Sequence, residues 1–178
     1  MDMEIPVIDL QGLNGDASQR WQTMARLHEA CKDWGFFWVD SHGVDAALME
    51  EVKRFVGGLE FFRGDREWVP VGPTKGSRIF VNLGDQLEVM SGGAYRSVLH
   101  RVAAVAEGRR LSVATFYNPG ADAVVAPATA ARQPAAQLYP GPYRFGDYLD
   151  YYQGTKFADK AARFQAVRSC SVHGFCTI

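Results

Sequence analysis

The pattern of apolar residues changes abruptly at Gly57, and this change limits the folds open to the chain. Before Gly57, strands and helices alternate: Ile5 to Leu10 and Phe36 to Val39 read as strands, and Ser18 to Trp34 has helical spacing. Asp45 is placed to cap a second helix. After Gly57 come short β-rich runs separated by Gly, Pro, Asp or Lys, which are typical of an antiparallel sandwich or barrel: LEFF, EWVPV, SRIFVNL, YRSVLHRV and LSVATFYN.

The last third of the chain is less regular. Residues 121–137 are rich in Ala and Pro and are predicted to form a loop. A helical segment is predicted from about Phe145 to Val167. The sequence therefore predicts an α+β fold, with β structure between two helical regions.

Composition narrows the choice of partners and compartment. The chain has 178 residues, of which 47% are hydrophobic and 22% charged, as expected for a single well-packed domain. Nineteen Lys and Arg against twenty Asp and Glu, with no basic run, argue against nucleic acid as a partner. The start, MDMEIPVIDL, lacks the features of a secretory signal, and no apolar stretch is long enough to span a membrane. Because the three cysteines form no dense framework, we expect a cytoplasmic protein.

The stretch from Ser97 to Tyr117 carries a histidine, an arginine and a serine in what reads as a β-hairpin. A histidine such as His100 can ligate a metal, and Arg110 with the hydroxyl of Ser112 can bind a carboxylate. The three share a face only if the numbers of paired positions sum to an even number, for instance 100 with 116 or 104 with 112. This requires an odd loop, and we predict a three-residue turn over 107–109. The alternative is a packed strand histidine beside a solvated arginine.

Long blocks of the sequence resemble the plant oxygenases that depend on iron(II), with the 2-oxoglutarate/Fe(II) dioxygenase fold. Within them, the chain is most similar to the 1-aminocyclopropane-1-carboxylate (ACC) oxidases, which make ethylene. The resemblance covers nearly all of residues 3–167. It rests on five segments: MEIPVIDL, CKDWGFFWVDSHGV, EWVPVGP, VNLGDQLEVMSGGAYRSVLHRV and RLSVATFYNPGADAV.

The resemblance implies a fold and a site. Residues 1–56 would form the N-terminal α/β segment of the family, residues 57–120 a partial jelly-roll core (an incomplete double-stranded β-helix), and residues 121–178 a loop, the C-terminal helix and an atypical tail. His100 would be the last of three iron(II) ligands. Arg110 and Ser112 would bind a carboxylate, which is 2-oxoglutarate in most of the family. The implied cofactors are iron(II) and ascorbate, and the implied substrate is a small carboxylate.

One departure from the family concerns the iron site itself. The family supplies its first two ligands as His-x-Asp, and none of the four histidines here is followed two residues later by aspartate. Iron of this type needs two histidines and one carboxylate on one face. Residues 53–56 directly join parts that a long segment separates in the family, which we interpret as an internal deletion. The sequence therefore predicts impaired catalysis and doubtful cofactor binding.

Other residues offer weak replacements for the missing ligands. Asp85 and Glu88 precede His100, but Gly84–Asp85 reads more simply as a turn and Glu88 as a solvated residue. The tail has a C-x2-H-x2-C cluster, but zinc usually takes four ligands: Cys170, His173 and Cys176.

The C-terminal helix also departs from the family. Arg163 matches a basic residue of the family's helix, whereas Gln165 stands where the family has glutamate. This departure argues against assigning the family's role of this helix to the present chain.

Three functional hypotheses remain open. The first is an active iron- and ascorbate-dependent oxidase, the second is a catalytically dead relative that is either a fragment or a module associating with full-length homologues, and the third is an unrelated cupin-like binding protein. A shortened barrel favours the second, because strands without their neighbours present open edges. The same shortening should deprive several apolar residues of an opposing sheet: Phe61, Phe62, Ile79, Val81, Leu99 and Val102.

Overall fold

The computed structural model describes residues 4–51, 57–64, 67–72, 76–104, 113–128, 139, 141–155 and 160–173. The chain divides into two units. The first unit comprises Met1–Gly84 and Arg96–Ala114, and the second comprises Asp85–Tyr95 and Thr115–Ile178. The predicted division at residues 56 and 120 is a statement about family segments and stays a prediction.

The described residues of the first unit form two α-helices, six β-strands and a short 3-10 helix over Leu10–Asn14. In chain order they are β1 (Val7–Asp9), α1 (Ala17–Asp33), β2 (Phe36–Asp40), α2 (Ala46–Glu51), β3 (Leu59–Arg63), β4 (Glu67–Val71), β5 (Ile79–Asn82) and β6 (His100–Val102), with α3 (Asp85–Met90) of the second unit falling between β5 and β6. The second unit continues with β7 (Val124–Val125), β8 (Tyr143–Arg144), α4 (Phe145–Gly154) and α5 (Lys160–His173). In the described ranges, the helices are too short or too polar to cross a membrane.

Helix α1 spans Ala17–Asp33 and confirms the helix predicted for Ser18 to Trp34 to within one residue at each end. The side chain of Asp16 accepts a hydrogen bond from the Gln19 amide at 2.8 Å, and the Gln19 side chain accepts one from the Asp16 amide at 3.0 Å. This reciprocal capping box satisfies two amides that the first helical turn would leave unpaired. At the other end Gly35 adopts a φ of +76°, a left-handed conformation that glycine favours, and its amide donates to the Ala30 carbonyl at 3.0 Å.

The predicted second helix is confirmed over its described residues. Asp45 accepts a hydrogen bond from the Ala47 amide at 2.7 Å, as a helix-capping residue does. The continuation to Phe55 and the joint at 53–56 lie outside the described residues.

Two three-stranded sheets form the β structure of the first unit. In one, β2 lies between a parallel β1 and an antiparallel β5. In the other, β3 lies between β4 and β6, with Phe61 opposite His100 and Leu59 opposite Val102. The sheets meet through fully buried Phe36 and Phe61, whose ring centroids are 4.8 Å apart.

The second unit has its own core and corrects two sequence predictions. Val124 and Val125, which lie in the stretch predicted as loop, form a strand. It pairs with Tyr143 and Arg144, which follow that stretch. A two-residue ladder is too short to leave a periodic signal. The single helix predicted over 145–167 is two helices, because α4 ends at Gly154 and α5 begins at Lys160. The core consists of Val89, Val125, Tyr143, Phe145, Tyr148 and Phe164.

Candidate functional site

His100, the predicted metal ligand, lies at the start of β6. Its imidazole stacks on the ring of Phe61, with centroids 4.9 Å apart and planes at 20°. Its Nδ1 atom is 3.3 Å from the carbonyl oxygen of Val98. Because a carbonyl only accepts, this contact favours the proton on Nδ1 and leaves the lone pair on Nε2. The side chain is exposed, so a metal could reach it from solvent.

The predicted hairpin around His100 is wrong at its described positions. Residues 113–120 lie in no strand, so the pairing of position 100 with position 116 does not form. β6 pairs instead with β3, and His100 faces Phe61. Strands adjacent in sequence need not pair with each other in a sheet, so the sequence of the run after His100 does not determine its partner. The turn at 107–109 and the predicted carboxylate-binding residues Arg110 and Ser112 lie outside the described residues.

An iron centre needs further ligands converging on His100, and the described residues do not provide them. Nowhere in the described ranges do three His, Cys, Asp or Glu side chains group closely enough to bind a metal ion. The nearest charged neighbour along the strand, Arg101, is a cation bound to Glu60 at 2.6 Å. One exposed imidazole does not make the two-histidine, one-carboxylate face that this iron requires. The described residues therefore do not fit the metal that the family resemblance implies.

His28 and His42 do not supply the missing ligands either. Both ring nitrogens of His42 are engaged: Nδ1 accepts from the Val44 amide at 3.1 Å, and Nε2 contacts the Ser77 carbonyl. His28 lies exposed on α1. The side chain of His173 and the whole of Cys176 lie outside what the structure describes, so the zinc alternative in the tail stays untested.

The carboxylates considered as replacement ligands belong to a different arrangement, which corrects their interpretation. Asp85 begins helix α3 rather than forming a turn, and Glu88 is 4% exposed rather than solvated. Lys160 on α5 binds Glu88 at 2.7 Å, and Tyr139 donates a hydrogen bond to it at 3.1 Å. Both carboxylate oxygens of Glu88 are thus used inside the second unit.

Asp85 forms the second ion pair between the same helices. Arg163 donates to its Oδ2 atom at 3.0 Å, and the Tyr148 hydroxyl donates to that atom at 2.6 Å. The side chains of Asp85 and Arg163 are only 9% and 14% exposed. Burial and the hydrogen bond to Asp85 raise the pKa of Tyr148. Burial and the charge of Asp85 raise the pKa of Tyr143 likewise.

In these two ion pairs each acid is matched by a base on α5, and we therefore assign them a structural role. The signal that could have predicted them is a matched spacing: two acids three residues apart on α3 and two bases three residues apart on α5. Residues at this spacing share a helix face. The sequence alone does not show that the two faces meet, because Glu88 and Lys160 are 72 positions apart.

Two family models match the chain. Residues 5–66 match the N-terminal region of the non-haem dioxygenase in morphine synthesis, and residues 41–119 match the 2OG-Fe(II) oxygenase superfamily. Together the matches contain the first unit's sheets and His100.

Several curated plant proteins are similar in sequence. ACC oxidase 1 of Arabidopsis thaliana is 49% identical over 129 residues, which is 72% of this chain and 38% of that protein. ACC oxidase 1 of Oryza sativa subsp. japonica is 50% identical over 116 residues, or 64% of this chain and 35% of its own length. ACC oxidase 4 of Solanum lycopersicum is 47% identical over 114 residues, with 64% and 35% covered. The chain thus spans little more than a third of the length of these relatives.

Solved structures share the fold at low sequence identity. JOX2 in complex with 2OG, Fe and JA superposes with a TM-score of 0.75 at 19% identity, covering 93% of this chain and 89% of that one. The dioxygenase for auxin oxidation in rice has a TM-score of 0.75 at 17% identity, covering 93% and 99%. The predicted α+β fold with a jelly roll is therefore confirmed, and the chain is a relative of the 2-oxoglutarate and iron(II)-dependent oxygenases whose sequence resembles the ACC oxidases.

Proposed function

We propose that the chain is an ACC oxidase-like protein whose oxidase chemistry is impaired because its iron site is incomplete. The observation that carries this proposal is the setting of His100, an exposed imidazole stacked on Phe61 with no converging ligand group among the described residues. The full sequence also contains no His-x-Asp pair. Three protein ligands hold iron(II) in this class of site, and a single imidazole is a weak ligand by itself.

The other half of the ancestral site is proposed to retain affinity for a small carboxylate. The guanidinium of Arg110 offers two parallel donors that match a carboxylate, and the hydroxyl of Ser112 offers a third. 2-Oxoglutarate and ascorbate are the acids to test, because the family resemblance implies them. The cytoplasm remains the expected location, from the cysteine content of the sequence.

An anaerobic iron(II) titration of the purified chain tests the proposal, with His100→Ala as the variant and Arabidopsis ACC oxidase 1 as the positive control. We expect the relative to bind one iron ion and this chain to show no stoichiometric site. One-to-one binding that His100→Ala abolishes would mean that the chain completes its iron site, and the proposal would be wrong.

Calorimetry with 2-oxoglutarate and with ascorbate tests the carboxylate half of the site. We expect Arg110→Ala to weaken binding at least tenfold, since it removes a charge-assisted bidentate contact worth about 1.5–3 kcal/mol. Arg20→Ala, which removes an exposed arginine of α1, is the matched control. Equal affinity in both variants would show that position 110 does not bind the acid.

A second candidate function is that of a non-catalytic module that associates with full-length homologues. The exposed edge of β6 favours it, because Leu99 and Val102 remain 65% and 59% exposed at an unguarded strand. Co-expression with Arabidopsis ACC oxidase 1 tests this function. Recovery of a stable complex supports it, and separate elution of the two proteins contradicts it.

A further inference from the structure

Strand β6 is exposed on both faces and lies at the edge of its sheet. The strand order is β4-β3-β6, and no other strand in the described part of the chain pairs with the outer side of β6. All three of its residues are exposed. Leu99, just before it, points to one face, and Val102 points to the other. An exposed edge with apolar side chains is a surface on which another strand can add.

The backbone of β6 has a free side with defined positions. The carbonyl of Leu99 accepts from the Phe62 amide at 2.8 Å, and the amide of Ala103 donates to the Gly58 carbonyl at 2.7 Å. Arg101 lies opposite Glu60 between these two bonds. In an antiparallel ladder alternate residues turn their amides and carbonyls to opposite sides. The outward backbone groups are therefore those of Val98, His100 and Val102.

The described residues Val98 to Val102 place no charged side chain at this edge. Proteins commonly protect an edge strand with lysine, proline or a bulge. Arg101 carries the one charged side chain from Val98 to Val102. Its guanidinium is bound to Glu60 at 2.6 Å and lies over the ring of Trp68 at 4.0 Å. It is thus directed toward its own sheet and leaves the edge open.

We propose that β6 pairs antiparallel with β6 of a second copy of this chain, about a two-fold axis at His100. An antiparallel pair of identical strands is self-complementary and closes as a dimer. This register sets the half-buried Val98 opposite the partner's Val102, which is 59% exposed, so that apolar side chains face each other across the pair. A register centred on Arg101 would set two arginines opposite each other, which is unfavourable. Two three-stranded sheets become one of six strands, a common size.

The length of the ladder sets the strength of the dimer. Five residues on each side, Val98 to Val102, bury less than the roughly 1,200 Å² at which stable interfaces begin. The dimer is therefore weak and depends on concentration. The proposal goes beyond the proposed function, and it needs no iron or carboxylate, so its failure would leave the titrations above unaffected.

Sedimentation velocity from micromolar to submillimolar concentration tests the pairing, with Val102→Lys as the variant and Val124→Lys as the control. Val124 is a valine of similar exposure, 67% against 59%, on a strand of the second unit. We expect Val102→Lys to raise the dimer dissociation constant at least tenfold and Val124→Lys to leave it unchanged, with circular dichroism confirming that both fold. A chain that is monomeric at every concentration, or equal effects of the two variants, would overturn the proposal.

A cross-link tests the register separately. Opposed residues of a hydrogen-bonded antiparallel pair have Cα atoms about 5.5 Å apart, within the span of a disulfide. In a chain with Cys170→Ser and Cys176→Ser, we expect His100→Cys to give a covalent dimer under mild oxidation, and Val124→Cys to remain monomeric. This register would be overturned if His100→Cys gave no more covalent dimer than Val124→Cys. It would also be overturned if the chain associated with intact ACC oxidase 1 but not with itself.

Discussion

The Nζ atom of Lys160 lies 2.7 Å from the Oε2 atom of Glu88, whose side chain is 5% exposed. Tyr139 donates to the other oxygen of the same carboxylate at 3.1 Å. The Lys160 side chain is itself one-third exposed. The pair therefore holds α5 against α3 by a contact whose Glu88 side is buried and whose Lys160 side is partly exposed to solvent.

Lys160→Met should lower the free energy of unfolding by about 3 kcal/mol, because it leaves the Glu88 carboxylate buried without its cation. Urea unfolding of the variant and the original chain measures the difference. Glu88→Leu combined with Lys160→Met is the control, since replacing both members of a buried pair is often neutral. If the single variant is as stable as the double variant, the ion pair does not stabilise the unit.

Asp85→Asn should also destabilise the second unit by about 3 kcal/mol. Arg163 is 14% exposed, and a guanidinium stays charged when its partner is removed. Asp150→Asn, at an exposed position of α4, should change stability by less than about 0.5 kcal/mol. Urea midpoints measured together distinguish the two. Equal midpoints would contradict the role of Asp85.

Stability should fall at alkaline pH because two buried tyrosines hold their protons. The pKa values of Tyr143 and Tyr148 are raised by burial in the folded chain. The unfolded chain ionises near the ordinary tyrosine pKa of about 10 and so loses protons first. The stabilisation is complete below about pH 10 and is lost as the pH rises above it.

Urea midpoints between about pH 8 and pH 11 measure this loss, in a range set by the ordinary tyrosine pKa. Tyr148→Phe should flatten the decline, since the phenylalanine has no proton to lose. Tyr117→Phe, at a fully exposed ring, is the matched control and should not flatten it. Parallel declines in all three chains would argue against a role for Tyr148.

Phe61→Ala should lower the free energy of unfolding by about 4 kcal/mol. Phe61 is 1% exposed and contacts the rings of Phe36, Phe80 and His100. Phe62→Ala is a matched control on the next residue, whose ring is only half-buried, and should cost less. Thermal or urea unfolding checks the order of the two, and a reversed order would show that the core does not depend on Phe61.

Local patterns predicted the elements of the first unit well. The capping residue Asp45, the helical spacing of α1 and four of the five β-rich runs act through neighbours in sequence, so the sequence alone reveals them. The pairing of β6 with β3 was missed because a strand's sequence does not name its partner. Burial of Glu88 was missed for a related reason: its cation comes from a distant helix.

The candidate site was also predictable only in part. The missing His-x-Asp pair is visible in the sequence, whereas the stacking of His100 on Phe61 and the exposure of β6 depend on how distant strands meet. Residue types thus show that the chain has no His-x-Asp pair, and tertiary contacts determine what His100 contacts.

Gly35 has a consequence for His100 that reaches beyond the end of helix α1. A Cβ atom at position 35 would lie 2.5 Å from the Arg96 carbonyl oxygen and 2.5 Å from a methyl group of Val98. The backbone that leads into β6 therefore passes so close to Gly35, just after α1, that there is room only for the hydrogen atom of a glycine. Any side chain at position 35 would displace that backbone and, with it, strand β6. A substitution between α1 and β2 would therefore alter the sheet edge that carries His100.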